Sequence, residues 1–374
     1  MDFSFSEEQV ILRDGWARFL EKSYRSEDRR ALLRAGSAYS QTAWDQMAEL
    51  GILAVPFPEQ LGGFGGRPSD LVPIAEASGG HLTLEPWIFT TALAGSALAA
   101  ADQNQKARQC LNDIMSGVAS GAFAYDEGRG LASAELIALA ASPISNGYTL
   151  DGEKRLVFGA SEARFMVVAA RAAGRPGEKS GLVLVLVDPK APGVTLRPFR
   201  TQDGRSAAHV HFDCVTVSGD DVLVRDAHRV ISNALRHAIL LLAAEAVGAI
   251  GALVRITAEY ASARKQFGVA IGTFQAVAHR LADMKIAYAK AYATVMYSTA
   301  LASTDQLGDR DTSVLKAQVA KCGRLVGEAA VQTHGGVGMT DELAVGHYLK
   351  RLLIFESLFG DTNYHFRLLG ASVP

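Results

Sequence analysis

Cysteine is scarce: Cys110, Cys214 and Cys322 are the only three in 374 residues. They are odd in number and far apart, which argues against both a disulfide framework and a zinc site. A charge excess is also lacking, with 37 Lys and Arg against 39 Asp and Glu and a formal net charge of −2. Nucleic-acid binding leaves a cationic footprint, and none is visible. Met1-Asp2-Phe3 opens without the basic stretch and apolar core of a secretory signal. The longest apolar run, Ala238 to Val254, contains Glu245 and two glycines and falls short of the ~20 residues a membrane span needs. No internal repeat or low-complexity tract is present. These absences predict a cytoplasmic protein with no nucleic-acid partner, no membrane partner and no metal.

What is there is apolar: 49% of the residues are hydrophobic. The length suggests two or three domains of roughly 100–200 residues. From Phe3 to about Gly117 the pattern is helical, and Ser6 followed by Glu7-Glu8 reads as a helix N-cap. The glycine-rich loop Phe57 to Gly66 reads as a helix–helix connection, because no strand precedes it as a dinucleotide-binding fingerprint requires. About Gly121 to Arg225 reads as strands, forming a small antiparallel sheet or barrel. Asp151-Gly152 suggests a hairpin turn within Tyr148 to Lys154, while Phe165–Ala169 and Leu182–Val187 look like buried strands. Beyond Asp226 the chain is helical again. Ala238 to Val254 is apolar all round, and Val277, Leu281, Met284, Tyr288, Tyr292 and Val295 form one stripe. The expected domains are 1–117 (helical), 118–225 (β) and 226–374 (helical bundle).

Two stretches carry chemistry. In Tyr260-Ala261-Ser262-Ala263-Arg264-Lys265-Gln266-Phe267-Gly268 a helix ends near Lys265, and Gly268 lets the chain reverse before the next helix starts near Phe274. Arg264 there is either a helix-end dipole partner or a clamp for an anionic group. Gln332-Thr333-His334-Gly335-Gly336-Val337-Gly338 is either a helix-terminating glycine cluster or a place where backbone N–H groups approach a phosphate.

Together with Phe274-Gln275, His279 and Leu281-Ala282-Asp283-Met284, these motifs resemble the acyl-CoA dehydrogenase family. Its members carry Arg-x-Gln-Phe-Gly, then Phe-Gln…His-x-Leu-Ala-Asp-Met, then Gln-x-x-Gly-Gly-x-Gly. Phe3-Ser4-Phe5-Ser6-Glu7-Glu8-Gln9 and Leu50-Gly51…Pro56…Glu59…Gly62-Gly63 fit as well, so the likeness spans the chain. The resemblance implies a mainly α fold with a central β domain: an N-terminal helical domain, a middle β-barrel and a C-terminal four-helix bundle. It also implies FAD, an acyl-CoA substrate, an oligomer, a flavoprotein electron acceptor and α,β-dehydrogenation. In that reaction a carboxylate removes the α-proton while hydride leaves to the flavin. The implied FAD-binding residues are Arg264, Gln266, Phe267, Gln332, Gly335 and Gly336.

The departures from the family are systematic. The position of the family's catalytic Glu is taken by Phe359, and the alternative base position by Ala238; neither can accept a proton. Asp361 and, one helical turn earlier, Glu356 are the nearest candidates for a relocated base; Asp361 is the one that a shift of the loop would bring in, with a turn or cap role as its other reading. Glu245 reads as a buried, paired carboxylate. The family's Thr-Glu-Pro-x-x-Gly-Ser-Asp strand corresponds to Tyr125 to Ala132, and its Trp-x-Thr to Leu156-Val157-Phe158, so Tyr125 and Phe158 stand where flavin contacts are expected. The motifs retained are those that, in the family, reach a flavin bound mainly by a neighbouring subunit. Those lost serve a subunit's own flavin. With Leu84-Glu85-Pro86-Trp87 and Phe359-Gly360-Asp361-Thr362, the sequence most resembles the small subunit of pimeloyl-CoA dehydrogenase.

Overall fold

The computed structural model describes residues 5–128 and 130–371. Phe3-Ser4 of the N-terminal element and Arg129 of the Tyr125–Ala132 stretch lie outside the described residues. The α-helices are α1 (Glu7–Ser23), α2 (Ser26–Arg34), α3 (Gln41–Glu49), α4 (Val72–His81), α5 (Ser96–Ala99), α6 (Gln105–Met115), α7 (His228–Ala263), α8 (Gln275–Ala302), α9 (Asp309–His334), α10 (Ala344–Ser357) and α11 (Thr362–Ala371). The strands are β1 (Gly121–Ala124), β2 (Ala140–Ile144), β3 (Gly147–Phe158), β4 (Phe165–Arg171), β5 (Leu182–Val187), β6 (Val194–Arg200), β7 (Ser206–Ser218), β8 (Val222–Arg225), β9 (Lys265–Gln266) and β10 (Val269–Ala270). They fall into two compact units, one of residues 1–31, 72–83 and 239–374, the other of residues 32–71 and 84–238.

The second unit holds the sheet. β5, a run of Leu and Val, pairs antiparallel with β4, and both strands are buried almost throughout, as continuous apolar runs predict. β3 and β7 alternate instead, and bury Leu150, Val157, Val210 and Phe212 on one face. The strand path runs β6-β7-β3-β2-β4-β5-β8, with β1 parallel to β4. The middle β-domain is therefore an open sheet with β6 and β8 at its ends, where a barrel was one expectation. Asp151-Gly152 is not a hairpin turn. β3 runs straight through it, and the register against β7 slips between Leu150 and Gly152, which is a bulge. The turn lies earlier, between Ile144 and Gly147, because the apolar residues on both sides of Asp151-Gly152 find partners on β7 rather than on each other. In the loop Phe57 to Gly66, Gly63, Gly65 and Gly66 donate their N–H groups to the carbonyls of Pro58, Phe57 and Val55, so these are not left for a phosphate.

The other unit is helical. α1 starts as predicted: Ser6 Oγ accepts from Gln9 N–H at 3.3 Å and Gln9 Oε1 accepts from Ser6 N–H at 2.9 Å. Among the described residues, α7 is the one helix long and apolar enough to cross a membrane, and 78% of its most apolar window is buried in the fold. α4 crosses α7 at backbone contact. A Cβ on Gly79 would sit 1.8 Å from the Glu245 carbonyl oxygen, and one on Gly248 would sit 1.9 Å from that of Glu76. Of the predicted stripe on α8, Met284 and Val295 are buried and Val277, Leu281, Tyr288 and Tyr292 are half-buried; the buried line runs instead through Met284, Ala287, Ala291, Val295 and Ser298. α9 packs against α8, α10 and α11.

Candidate functional site

α7 ends at Ala263, and the chain turns back at once. Lys265–Gln266 pairs antiparallel with Val269–Ala270 around a two-residue loop. Phe267 and Gly268 have φ of 53° and 83°. Two successive left-handed residues are what a type I′ hairpin demands, and they cost little at glycine but strain a phenylalanine. The turn holds Phe267 outward, 93% exposed, edge-on to Phe274 at 6.2 Å. Arg264 and Gln266 are exposed. The Arg264 side chain has no hydrogen bond or ion pair among the described residues, although its backbone is fixed to Tyr260 and Ile271.

The two motifs meet. The Tyr260 ring stacks on that of His334 at 4.3 Å, and His334 Nδ1 is 2.9 Å from the Ala330 carbonyl. α9 therefore ends against the last turn of α7, with Gln332, Gly335 and Gly336 exposed. Gly335 adopts φ 66° and ψ −147°, a region essentially closed to other residues. A Cβ on Gly335 or Gly336 would meet nothing within 4 Å, so packing within the chain does not explain the bare backbone. The assembly offers an outside group a free guanidinium, an aromatic ring and open backbone.

Both positions at which the resemblance places a base are apolar. Phe359 (φ 57°) and Ala238 are buried. The Phe359 loop is held by two buried basic groups. Lys316 Nζ donates to the Glu356 and Gly360 carbonyls, both at 2.9 Å, and burial pushes its ammonium down to about 7. His365 lies 3.0 Å from the Phe359 carbonyl and 3.1 Å from Ser313 Oγ, and burial, then the Lys316 charge, pushes it down to about 4. Asp361 is exposed, and its Oδ1 accepts the Tyr364 N–H at 2.7 Å, capping α11. Glu245 is fully engaged: Arg351 Nη1 donates to its Oε1 at 2.9 Å with both side chains buried.

A depressed histidine makes stability fall with acid, because the unfolded state binds the proton first. That loss is expected between about pH 6.5, the ordinary histidine value, and about 4. The Lys316 contribution is lost above this window, between its ordinary value of 10.5 and about 7. Urea midpoints measured across it should drop by the equivalent of about 2 kcal/mol, allowing for screening. His365→Gln should flatten this acid limb; an unchanged limb would remove His365 from the account.

In the other unit, the stretch from Tyr125 closes on itself. Tyr125 Oη donates to the Leu131 carbonyl at 2.6 Å and accepts from the Ser133 N–H at 2.8 Å. Asp126 Oδ1 accepts from the Gly128 and Gly130 N–H groups. Glu127 accepts from the N–H groups of Ala138 and Leu139 and from Lys154 Nζ at 2.8 Å, with Lys154 wholly buried. Phe158 stacks on Phe89 at 4.1 Å with Arg205 over that ring, and the cavity they line measures about 10 Å³, barely room for one water.

Three family models follow one another along the chain. The acyl-CoA dehydrogenase N-terminal domain matches residues 6–117, the middle domain 122–215 and the C-terminal domain 228–373. Acyl-CoA dehydrogenase FadE28 of Mycobacterium tuberculosis is 30% identical over 341 residues, covering 88% of this chain and 91% of its own. The chain belongs to the acyl-CoA dehydrogenase family. Benzylmalonyl-CoA dehydrogenase of Aromatoleum aromaticum is 26% identical over 362 residues, covering 94% of this chain and 93% of its own. A chain in the crystal structure of the ChsE4-ChsE5 complex from Mycobacterium tuberculosis superposes with a TM-score of 0.89 at 25% identity, covering 100% of both chains.

Acyl-CoA dehydrogenases are FAD-dependent oxidoreductases acting on CH–CH bonds. In this acyl-CoA dehydrogenase the residues fit FAD unevenly. The exposed set around Arg264 and Gly335 suits a phosphate-bearing group. The Tyr125–Ala132 stretch does not suit a flavin ring, since its hydrogen-bonding groups are satisfied internally, and Phe158 is itself packed on Phe89. Lys154 and Glu127, 27 residues apart, escaped sequence reasoning because no local pattern links them; Lys316 and His365 escaped it for the same reason.

Proposed function

We propose that this chain is the small subunit of a two-subunit acyl-CoA dehydrogenase, most like that of pimeloyl-CoA dehydrogenase, and completes FAD sites on a catalytic partner of its own fold. The observation that carries this reading is the asymmetry between an exposed, uncompensated Arg264 turn and a Tyr125 stretch closed by its own hydrogen bonds, with Phe158 packed on Phe89. Arg264, Gln266, Phe267, Gln332, Gly335 and Gly336 would meet the partner's FAD: Arg264 through charge-assisted bonds to a phosphate, the glycines through backbone. When bound, FAD supplies the hydride acceptor; the acyl-CoA thioester and its base belong to the partner. The exposed rings of Phe267 and Phe274, with Val337 and Met339, give the same helical unit an apolar surface that suits another subunit. The ChsE4-ChsE5 complex is an assembly of two different proteins, which supports a two-subunit reading here. A flavoprotein electron acceptor and a cytoplasmic location go with this reading.

The alternative is a stand-alone dehydrogenase with Asp361 as base. The cap that Asp361 makes to Tyr364 favours the first reading. Arg264→Ala is expected to weaken FAD retention by the assembled complex ten- to a hundredfold, the equivalent of one lost charge-assisted bond. Equal retention in mutant and parent complexes contradicts the role given to Arg264. Turnover abolished by Asp361→Asn in the chain alone would establish the alternative.

A further inference from the structure

Within the helical unit, a cavity of about 310 Å³ opens between the α1–α2 corner, the end of α4, the last third of α7 and the start of α10. That is the size of a small-ligand pocket. Its lining is cationic: four arginines, Arg25, Arg29, Arg30 and Arg255, face one carboxylate, Glu342, and the rings of His81 and His347 line it as well. Asp28 and Glu259 touch Arg25 and Arg255 at 3.5 and 3.3 Å, but these are exposed pairs of the weak kind, which an incoming anion displaces easily. Arg29 is buried and fixed by its Nε bond to the Leu82 carbonyl, and Arg30 Nη1 reaches the Glu342 carbonyl at 3.2 Å. The first turn of α10 lines the same cavity, and its N-cap, Leu343, has no side chain to satisfy the free N–H groups. Guanidinium groups and an uncapped helix start therefore converge on one space.

Burial holds His81 below its ordinary value against the Tyr24 backbone bond and the Glu21 charge, with Arg255 adding to burial; burial holds His347 down against its bond to the Asp341 carbonyl, with Arg29 and Lys350 adding to burial. Arg255 stands eight residues before the last residue of α7, about 12 Å along the axis, so the cavity does not share the Arg264 turn.

We propose that this cavity binds a phosphate dianion, free or as the terminal group of a small phosphate ester. The full-length chain is the test material. Inorganic phosphate and adenosine 3′,5′-bisphosphate are each titrated at constant ionic strength against chloride, with the unfolding midpoint and calorimetric heat as readouts. Saturable binding is expected, weakened at least tenfold by Arg255→Glu and largely retained by Arg255→Lys. Arg30→Gln gives a second, independent loss. Equal affinity for the two probes identifies the bare phosphate as the ligand; tenfold tighter bisphosphate identifies an ester. No saturable response to either probe, or affinities unmoved by both Arg255→Glu and Arg30→Gln, overturns the proposal.

Discussion

Arg351→Met is expected to lower the stability of this protein by 3–5 kcal/mol, the range found when one partner of a buried ion pair is removed. Arg351 is 1% exposed and Glu245 2%. Beyond its 2.9 Å bond to Glu245, Arg351 donates through Nη2 to the Thr83 carbonyl at 2.9 Å, tying α10, α7 and the end of α4 together. Methionine matches the bulk of the side chain but leaves Glu245 as a carboxylate without its cation in an apolar helix. Total stabilities of domains are about 5–15 kcal/mol, so the change takes a large share. The check is a denaturant midpoint, together with the double substitution Arg351→Met/Glu245→Gln. Removing the stranded charge should recover part of the loss. A single mutant within 1 kcal/mol of the parent would show that the pair carries no weight.

Gly248→Ala is the second large effect, and its sign is the informative part. In an ordinary helix interior alanine is about 1 kcal/mol better than glycine. Here the added methyl would lie 1.9 Å from the Glu76 carbonyl oxygen and 2.8 Å from its carbon, which are backbone atoms that no rotamer change can move. α4 is also pinned on its other side, where Trp16 Nε1 donates to Ser78 Oγ at 2.9 Å. The helices must separate, at a cost of about 2–3 kcal/mol at the upper end of overpacking effects. Gly370→Ala in α11, where a Cβ meets nothing, is the control and should be neutral or stabilising. A stabilising Gly248→Ala would mean that α4 and α7 are not in backbone contact.

These two sites mark the limit of what local pattern reveals. The order of helical, β and helical segments was legible because periods of 3.6 and 2 alternate cleanly along the chain. The Ser6 cap and the reversal at Gly268 were legible for similar reasons, since each is specified within a few residues, whereas the α8 stripe was legible only in Met284 and Val295. Glu245 could be read as paired, because a carboxylate in an all-round apolar helix has few other ways to exist. Its partner could not be named, as Arg351 is 106 residues away. Asp151-Gly152 misled because a favourable turn dipeptide yields to strand pairing when both flanks gain more from a third strand. At the candidate site, the Arg264 and Gly335 segments could be picked out, but their meeting through Tyr260 and His334 depends on tertiary packing. The substitutions at Phe359, Tyr125 and Phe158 were visible as departures. That the Tyr125 stretch is closed by its own hydrogen bonds was not, because Lys154, which bonds the Tyr125 carbonyl and Glu127, reaches it from outside any motif.

We propose that this chain lends half of a flavin site to a partner and holds no flavin by itself. The direct measurement is equilibrium dialysis of the purified chain against FAD, alone and then mixed with its catalytic partner, with bound flavin read by absorbance. The expected result is a colourless chain that retains no FAD alone, and a mixture whose bound flavin falls when Arg264 is replaced by alanine. A yellow chain that keeps one FAD per subunit without a partner, and whose flavin an acyl-CoA reduces, would contradict it.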